Sequence, residues 1–320
     1  MKILLTGGLG YVGSHIAHKL SEKAIIIDNK VNSSLNYKKL LPKARVYEGD
    51  VNYKNLNKIF KNHKIEGVIH LAGLKSVNES VTKPVHYYKT NICSSLELLE
   101  CMDKFKVNKL IFSSSATVYG SENKPPYKEN MKTSAINPYG NTKIFIEQII
   151  SDYAKSSKNF RAMSLRYFNP IGRNVESGLK DKPIGRAQNL IPLLIKAAKE
   201  KIIFNIYGND YDTKDGTCIR DYIHVEDIAY AHILALNKLR EIKGHTILNL
   251  GMGKGLSVLE ILKIFEKVTK VHIKKKIKNR RIGDVPTSYS NNKKAILRLN
   301  WKPLKSYEDM INDAWQTSSE

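Results

Sequence analysis

The chain has few cysteines and no long hydrophobic stretch, and both absences exclude classes of protein. Its three cysteines are an odd number without the spacing of a metal site or a disulfide framework. No run approaches the roughly 18 apolar residues that cross a bilayer, and glycines interrupt the apolar N-terminus, unlike a signal peptide. We therefore expect a soluble, cytoplasmic protein with no structural metal and no membrane partner.

Acidic residues are also scarce, with 30 Asp and Glu against 53 Lys and Arg and a net charge of +23. The lysines are scattered and are not interleaved with aromatic residues, which is more typical of a solvated surface than of a polyanion-binding one. We therefore expect no nucleic-acid partner. A hydrophobic content of 42% in 320 residues is sufficient for a large core.

Short apolar runs alternate with amphipathic segments in the first half of the chain. The runs are Lys2 to Thr6, Ala24 to Asp28, Ala44 to Glu48, Gly67 to Leu71, Leu110 to Ser113 and Ala162 to Tyr167, and the amphipathic segments are Tyr11 to Leu20, Tyr53 to Phe60, Ser94 to Phe105 and Lys143 to Ala154. Such alternation is typical of parallel strands covered by helices on both faces. It predicts an α/β fold with a Rossmann-type doubly wound parallel sheet over residues 1–170.

The amino-acid composition changes after Pro170, where Gly, Asn and Asp become frequent. We expect a smaller second α/β domain formed by residues 171–220 and 252–320. Between its two parts, a helix pattern from Val225 to Leu239 and a strand pattern from Thr246 to Leu250 predict a segment near 221–251 that returns to the first sheet.

A glycine-rich turn follows the first predicted strand and contains G-x-G-x-x-G from Gly8 to Gly13. Glycines there let the backbone approach a pyrophosphate, which the next helix holds at its N-terminus. Asp28 ends the second predicted strand. Its carboxylate suits a ribose 2′-hydroxyl and repels a 2′-phosphate, so the predicted cofactor is NAD.

Tyr139 and Lys143 are four residues apart and lie on one face of a predicted helix. The spacing alone does not discriminate, because Tyr289 and Lys293 share it. The context does: Asn137-Pro138 favours a helix start, and Ser115 follows a predicted strand, where ligands of such sheets bind. A neighbouring ammonium and the nicotinamide charge would favour the phenolate, so Tyr139 is the predicted general base, with Ser115 relaying the proton.

Further motifs follow one another along nearly the whole chain. They are Gly49-Asp50-Val51, His70-Leu71-Ala72-Gly73-Leu74-Lys75, Ser113 to Gly120, Tyr167-Phe168-Asn169-Pro170, Arg220-Asp221-Tyr222-Ile223-His224-Val225 and Arg280-Arg281-Ile282-Gly283-Asp284. Together with the glycine turn and the Tyr139 segment, they resemble the extended short-chain dehydrogenase/reductases and, among these, the UDP-glucose (UDP-galactose) 4-epimerases.

The resemblance implies residues for both ligands. The implied cofactor residues are Gly7, Gly10, Tyr11, Val12, Gly13, Asp28, Asn29, Asn32, Ser33, Asp50, Val51, Leu71, Ala72, Gly73, Lys75, Asn91, Tyr139, Lys143 and Phe168. The implied substrate residues are Lys75, Ser115, Tyr139, Asn169, Asn189, Leu190, Tyr207, Arg220, Arg281, Asp284 and Ser288. Residues 1–170 would then bind NAD, and the second domain would bind the sugar nucleotide.

The implied reaction is epimerisation of a UDP-hexose at C4. Tyr139 would deprotonate the C4 hydroxyl while NAD accepts the C4 hydride, and the 4-keto sugar would rotate and recover it on the other face. A homodimer through helices near 94–105 and 143–154 is also implied. A nucleotide-sugar 4,6-dehydratase is the alternative enzyme, although Ala116-Thr117-Val118 lacks its acidic pair. An NAD-binding regulator or nucleic-acid-associated protein is the non-enzymatic alternative.

Ser288 lies four positions after Asp284. In the resembled family, a bulky residue at this position excludes an N-acetyl group at the sugar C2, and a small residue admits it. The hypothesis is therefore that UDP-N-acetylglucosamine and UDP-N-acetylgalactosamine are substrates alongside UDP-glucose and UDP-galactose.

Overall fold

The computed structural model describes residues 2–181, 189–281 and 283–316. Residues 182–188 of the predicted second domain, and Ile282 of the Arg280–Asp284 motif, lie outside the described residues. The strands are β1 (Lys2–Thr6), β2 (Ala24–Asp28), β3 (Arg45–Glu48), β4 (Ile65–His70), β5 (Lys109–Ser115), β6 (Arg161–Tyr167), β7 (Asn169–Ile171), β8 (Phe204–Tyr207), β9 (Ile219–Arg220), β10 (Tyr222–His224), β11 (Gly244–Leu250), β12 (Leu256–Ser257), β13 (Lys275–Lys278) and β14 (Thr287–Ser288).

The helices are α1 (Tyr11–Leu20), α2 (Tyr37–Leu40), α3 (Tyr53–Asn62), α4 (Val77–Thr82), α5 (Pro84–Lys104), α6 (Pro138–Ser156), α7 (Leu190–Glu200), α8 (Val225–Lys238), α9 (Val258–Thr269), α10 (Lys293–Leu299) and α11 (Tyr307–Gln316). Each of the six predicted strands and four predicted helices of the first half is present. α5 begins at Pro84, ten residues before the predicted segment from Ser94, whereas α6 begins at Pro138, where Asn137-Pro138 favours a helix start.

Seven parallel strands form the central sheet in the order β11-β6-β5-β4-β1-β2-β3. One face packs through Leu5, Ile26 and Leu165 against α1 and α8. The other face packs through Leu4, Val68 and Phe112 against α3, α5 and α6. The Rossmann-type doubly wound sheet is therefore confirmed, and β11 returns to it beside β6 as predicted.

A second apolar cluster lies outside the large sheet. It includes Leu194 of α7, Ile206 of β8, Phe265 of α9 and Met310 of α11. The strands of this part are two to four residues long and form small sheets, β13-β8, β12-β9-β14 and β10-β7. The carboxyl ends of β1, β4 and β5 therefore face a region built largely from loops and short strands, and the predicted site residues lie there.

Candidate active site

The glycine turn between β1 and α1 is packed so closely that side chains are excluded. Gly7 has a φ of +70°, and a Cβ atom on it would lie 2.7 Å from the Ala72 amide nitrogen. A Cβ on Gly13 would lie 2.4 Å from the Gly7 carbonyl oxygen. Gly10 differs, because its Cβ would meet no protein atom closer than 3.4 Å. Gly10 thus leaves the N-terminus of α1 open to a ligand, and Tyr11 and Val12 follow it.

Asp28 ends β2 beside this turn. Its carboxylate accepts hydrogen bonds from the amides of Leu9 and Lys30, at 2.9 and 2.7 Å. The Ser33 hydroxyl donates to the Leu9 carbonyl at 2.7 Å, and the Asn29 amide donates to the Asp50 carboxylate at 2.7 Å. The predicted adenosine-side residues are thus brought together, with Asn32 and Val51 half-buried nearby in sequence.

The segment from Leu71 to Lys75 follows β4 and is held by Asn91 of α5. The Asn91 side chain accepts from the Leu74 amide at 2.8 Å and donates to the Leu74 carbonyl at 3.1 Å and the Thr142 hydroxyl at 3.1 Å. Asn91 is only 1% exposed. Its amide therefore ties the segment to α6, whereas Lys75 is exposed.

Helix α6 starts at Pro138, where the Asn137 side chain caps it by accepting from the Gly140 amide at 2.9 Å. This start places Tyr139 in the first turn and Lys143 on the next turn of the same face. The Lys143 ammonium is 5.8 Å from the centre of the Tyr139 ring and donates to the Ser113 carbonyl at 2.8 Å. Tyr139, Lys143 and Ser115 therefore meet at the carboxyl end of β5.

Burial shifts the ionisation of both side chains. Burial lowers the pKa of Lys143 to about 8. It also raises the pKa of Tyr139, and a hydrogen bond with the Ser115 side chain offsets part of that rise. The Lys143 ammonium lies 5.8 Å from the centre of the Tyr139 ring, and the expectation that it depresses the pKa of Tyr139 stays a prediction. Burial therefore disfavours the phenolate form of Tyr139, and a positive charge beside the ring would favour it.

A buried ion pair behind these residues was not predicted from the sequence. Arg166 of β6 forms two hydrogen bonds to the Glu147 carboxylate, at 2.9 and 2.5 Å, and the Ser114 hydroxyl donates to it at 2.6 Å. Glu147 lies four residues after Lys143, on the same helix. The pair therefore fixes α6 against β5 and β6. In the sequence, the only sign of this ion pair is that Glu147 follows Lys143 by four residues, which places both side chains on one face of the helix.

Phe168 is 4% exposed and packs with Tyr119 and Tyr127 beside β5. Tyr127 donates to the Thr287 carbonyl at 3.3 Å, which ties this aromatic cluster to β14. The Asn169 side chain donates to the Asp221 carbonyl at 3.1 Å. Phe168 and Asn169 thus mark the junction between the large sheet and the second apolar cluster.

Seven of the predicted substrate residues, all of them after Pro170, lie outside the large sheet. Arg220 pairs with Asp284 at 3.3 Å, and it is in register with Ser288 on the neighbouring strand. The Arg281 guanidinium lies 4.1 Å from the centre of the Tyr207 ring. Asn189 and Leu190 are at the start of α7. We call Tyr207, Arg220, Arg281, Asp284 and Ser288 the substrate side, and the glycine turn with Asp28, Tyr139 and Lys143 the cofactor side.

The described residues contain no group of acidic, histidine and cysteine side chains that could hold a metal ion. Among the same residues, no helix is both long and apolar enough to span a membrane.

Known proteins resemble the chain over its whole length. The model of the NAD dependent epimerase/dehydratase family matches residues 3–251. A UDP-glucose 4-epimerase from Erwinia amylovora is 41% identical over 331 residues, covering 100% of this chain and 98% of the relative.

Solved structures agree with this match. A UDP-glucose-4-epimerase from Stenotrophomonas maltophila with bound NAD and formylated UDP-arabinopyranose has a TM-score of 0.96 and 37% identity, covering 100% of this chain and 98% of that one. The UDP-Glc/GlcNAc 4-epimerase from Campylobacter jejuni has a TM-score of 0.85 and 33% identity, covering 99% of each. The chain therefore belongs to the NAD dependent epimerase/dehydratase family.

Proposed function

We propose that this protein is an NAD-dependent 4-epimerase that interconverts UDP-glucose and UDP-galactose. The observation that carries the proposal is the meeting of Tyr139, Lys143 and Ser115 at the same sheet edge as the glycine turn and Asp28. Residues 1–170 and 221–251 would form the NAD-binding domain, and residues 171–220 and 252–320 the sugar-nucleotide-binding domain. The Erwinia relative and the Stenotrophomonas structure, with its NAD and UDP-sugar, support this assignment.

The residues present fit NAD. Side chains are excluded at Gly7 and Gly13, whereas Gly10 leaves the start of α1 accessible, as a pyrophosphate requires. Asp28 supplies a carboxylate at the end of β2, where a ribose hydroxyl would lie. When bound, NAD would accept a hydride from the sugar C4 and return it to the opposite face.

The chain's own residues would handle the proton. Tyr139 takes the C4 hydroxyl proton through its phenolate oxygen and later returns it, and the Ser115 hydroxyl orients that hydroxyl. Lys143, whose ammonium donates to the Ser113 carbonyl, would hold the nicotinamide ribose and carry a positive charge there. The positive charge that favours a deprotonated Tyr139 would come from the Lys143 ammonium and from the nicotinamide of the oxidised cofactor.

The substrate side would anchor the UDP moiety and leave the hexose loosely held. Arg220 and Arg281 present paired donors that suit a diphosphate. Asp284 orients Arg220, and the Tyr207 ring supports Arg281. Firm contacts to the diphosphate and few to the sugar permit the rotation that exposes both faces of C4 to one cofactor.

The small Ser288 side chain supports a substrate range that includes N-acetylated sugars, which a bulky residue at this position would exclude. Ser288 is half-buried and in register with Arg220, so it lies beside the proposed diphosphate anchor. We include UDP-N-acetylglucosamine and UDP-N-acetylgalactosamine among the substrates, and the named specificity of the Campylobacter structure supports this. Replacement of Ser288 by Tyr should abolish turnover of the N-acetyl substrates and spare UDP-galactose.

We also propose a cytoplasmic homodimer. Val85 and Leu96 on α5 and Phe145 on α6 are 76%, 41% and 46% exposed, and α5 packs beside α6. Exposed apolar side chains on two adjacent helices are typical of an interface. The three free cysteines support a reducing compartment. Light scattering of the wild type and of a Phe145→Glu variant would test the dimer.

The test of function is an epimerisation assay of the purified protein without added NAD, with UDP-galactose and UDP-N-acetylgalactosamine in separate reactions. Turnover of both supports the full proposal, and turnover of UDP-galactose alone removes the N-acetyl substrates from it. Formation of a 4-keto-6-deoxy product would favour the dehydratase. Absence of any reaction with NAD supplied, together with salt-dependent DNA binding, would favour a non-enzymatic protein.

A further inference from the structure

Basic residues are concentrated in one segment, contrary to the expectation of a scattered distribution. From Lys267 to Arg281, 8 of 15 residues are Lys or Arg, compared with 53 of 320 in the whole chain. The segment runs from the end of α9 through β13, in the second apolar cluster and outside the proposed NAD-binding domain. It therefore concentrates positive charge on one small part of the surface.

Strand β13 carries much of this charge at an open edge. All four of its residues are exposed, and β8 is its only sheet neighbour among the described residues. The carboxylates of Glu200 and Asp210 pair with Lys196 and Arg280, and the Glu266 carboxylate contacts the His272 ring and accepts from the Ile273 amide. Within the described ranges, no carboxylate neutralises the exposed ammonium groups of Lys201, Lys270, Lys274, Lys275, Lys276 and Lys278.

Three exposed isoleucines lie among these lysines. Ile202, Ile203 and Ile277 are 45%, 55% and 52% exposed. The amide that follows Ile203 donates to the Lys274 carbonyl at 2.8 Å, and Ile277 is in the β13 ladder itself. Lysines on an edge strand block unwanted pairing with another sheet. That role does not explain the isoleucines, because a protected edge would not present aliphatic side chains to solvent.

We propose that this basic patch, formed by the six lysines and three isoleucines named above, docks the protein on a bilayer that contains anionic phospholipids. Side chains of β13 alternate between the two faces of the strand, Lys275 and Ile277 on one and Lys276 and Lys278 on the other. The open edge of β13 would therefore lie along the bilayer. The ammonium groups would lie at the anionic headgroups, and the isoleucines would enter the boundary with the acyl chains. Because Lys278 is in register with Tyr207, docking would bring the substrate side close to the bilayer surface.

A bilayer fits the patch better than a nucleic acid does. Proteins that bind single strands present aromatic rings on which bases stack, whereas Arg281 and Arg280 cover the rings of Tyr207 and Tyr211 at 4.1 and 4.3 Å. Isoleucines facing a phosphate backbone would stay exposed to water. A lipid surface uses both the charge and the aliphatic side chains.

The test is cosedimentation of the purified full chain with phosphatidylcholine vesicles that do or do not contain phosphatidylglycerol. We expect binding to the anionic vesicles only, weakened by salt. A Lys275→Glu/Lys276→Glu/Lys278→Glu variant should lose about 100-fold or more in partitioning. An Ile203→Ser/Ile277→Ser variant, which keeps every charge, should lose about tenfold.

The matched control replaces Lys54, Lys58 and Lys61 with Glu on exposed positions of α3. It changes the net charge equally but elsewhere, so binding should stay within about threefold of the wild type. Thermal unfolding and turnover establish that each variant is folded. Equal binding to neutral vesicles, or equal loss in the control, would overturn the proposal. If the isoleucine variant bound as well as the wild type, docking on a bilayer would be wrong, and the patch would instead bind polyanions through charge alone.

Discussion

The cofactor side and the substrate side of the site differ in how they are supported. Lys143 and Asp28 are 5% and 9% exposed and are held by a seven-stranded sheet. Tyr207 is 37% exposed, the Asp284 side chain is 35% exposed, and both belong to short strands or loops. The difference corresponds to the proposed chemistry, because the cofactor and the base must stay fixed while the sugar presents two faces in turn.

The largest expected effect tests the cofactor side directly. Tyr139→Phe removes the phenol that exchanges the proton, and kcat for UDP-galactose should fall by about 100- to 10,000-fold without a change in thermal unfolding. Tyr230→Phe is the control, since Tyr230 is 41% exposed on α8 and belongs to neither side of the site. If both variants lost activity equally, the assignment of Tyr139 would be wrong.

Two ion pairs test whether the cofactor side is held more rigidly than the substrate side: Arg166 with Glu147 behind the cofactor side, and Arg220 with Asp284 on the substrate side. Glu147→Gln leaves Arg166 buried without its carboxylate and should destabilise the protein by about 3–5 kcal/mol in urea unfolding. Asp284→Asn weakens a partly exposed pair and should change stability by only about 0–1 kcal/mol. The second variant should instead raise KM for UDP-galactose about tenfold, because Arg220 loses its orientation. The reverse pattern would contradict the comparison.

Two glycines separate packing from ligand approach within the cofactor side. Gly13→Ala places a Cβ 2.4 Å from the Gly7 carbonyl oxygen, and it should cost about 1–3 kcal/mol of stability together with NAD affinity. Gly10→Ala meets no close protein atom, so it should lower NAD affinity while leaving stability within about 0.5 kcal/mol. Differential scanning fluorimetry and NAD titration distinguish the two. Unchanged NAD affinity in Gly10→Ala would remove Gly10 from the cofactor site.

The smallest effect concerns acid stability of the sheet. Burial lowers the pKa of His232 to about 4, and its ring bonds the Ser113 hydroxyl and the Ile228 carbonyl. Between pH 6.5 and 4 the unfolded chain takes up this proton and the folded chain does not, so stability falls as pH falls, by about 1–2 kcal/mol at pH 5. His232→Gln should flatten this dependence by about one proton. An unchanged slope would show that His232 is not neutral in the fold.

Sequence patterns predicted the strands that carry the cofactor side better than the strands that carry the substrate side, for physical reasons. Strands buried on both faces leave apolar runs, so β1, β2 and β5 could be found. The strands β9 and β14 have two residues each, too few for any periodicity. The contact of Arg220 with Asp284 joins residues 64 apart, and only the family resemblance named them together. The early start of α5 was missed, although Pro84 at its first turn is a helix-start signal.

The most direct test of the proposed reaction follows the hydrogen at the sugar C4. UDP-galactose deuterated at C4 would be incubated in ordinary water with the purified protein and no added NAD, and the product would be analysed by mass spectrometry and NMR. If retained NAD takes and returns that hydrogen within one site, the UDP-glucose formed keeps the deuterium at C4. Loss of the label to solvent, or no conversion until NAD is supplied in repeated stoichiometric amounts, would contradict the account.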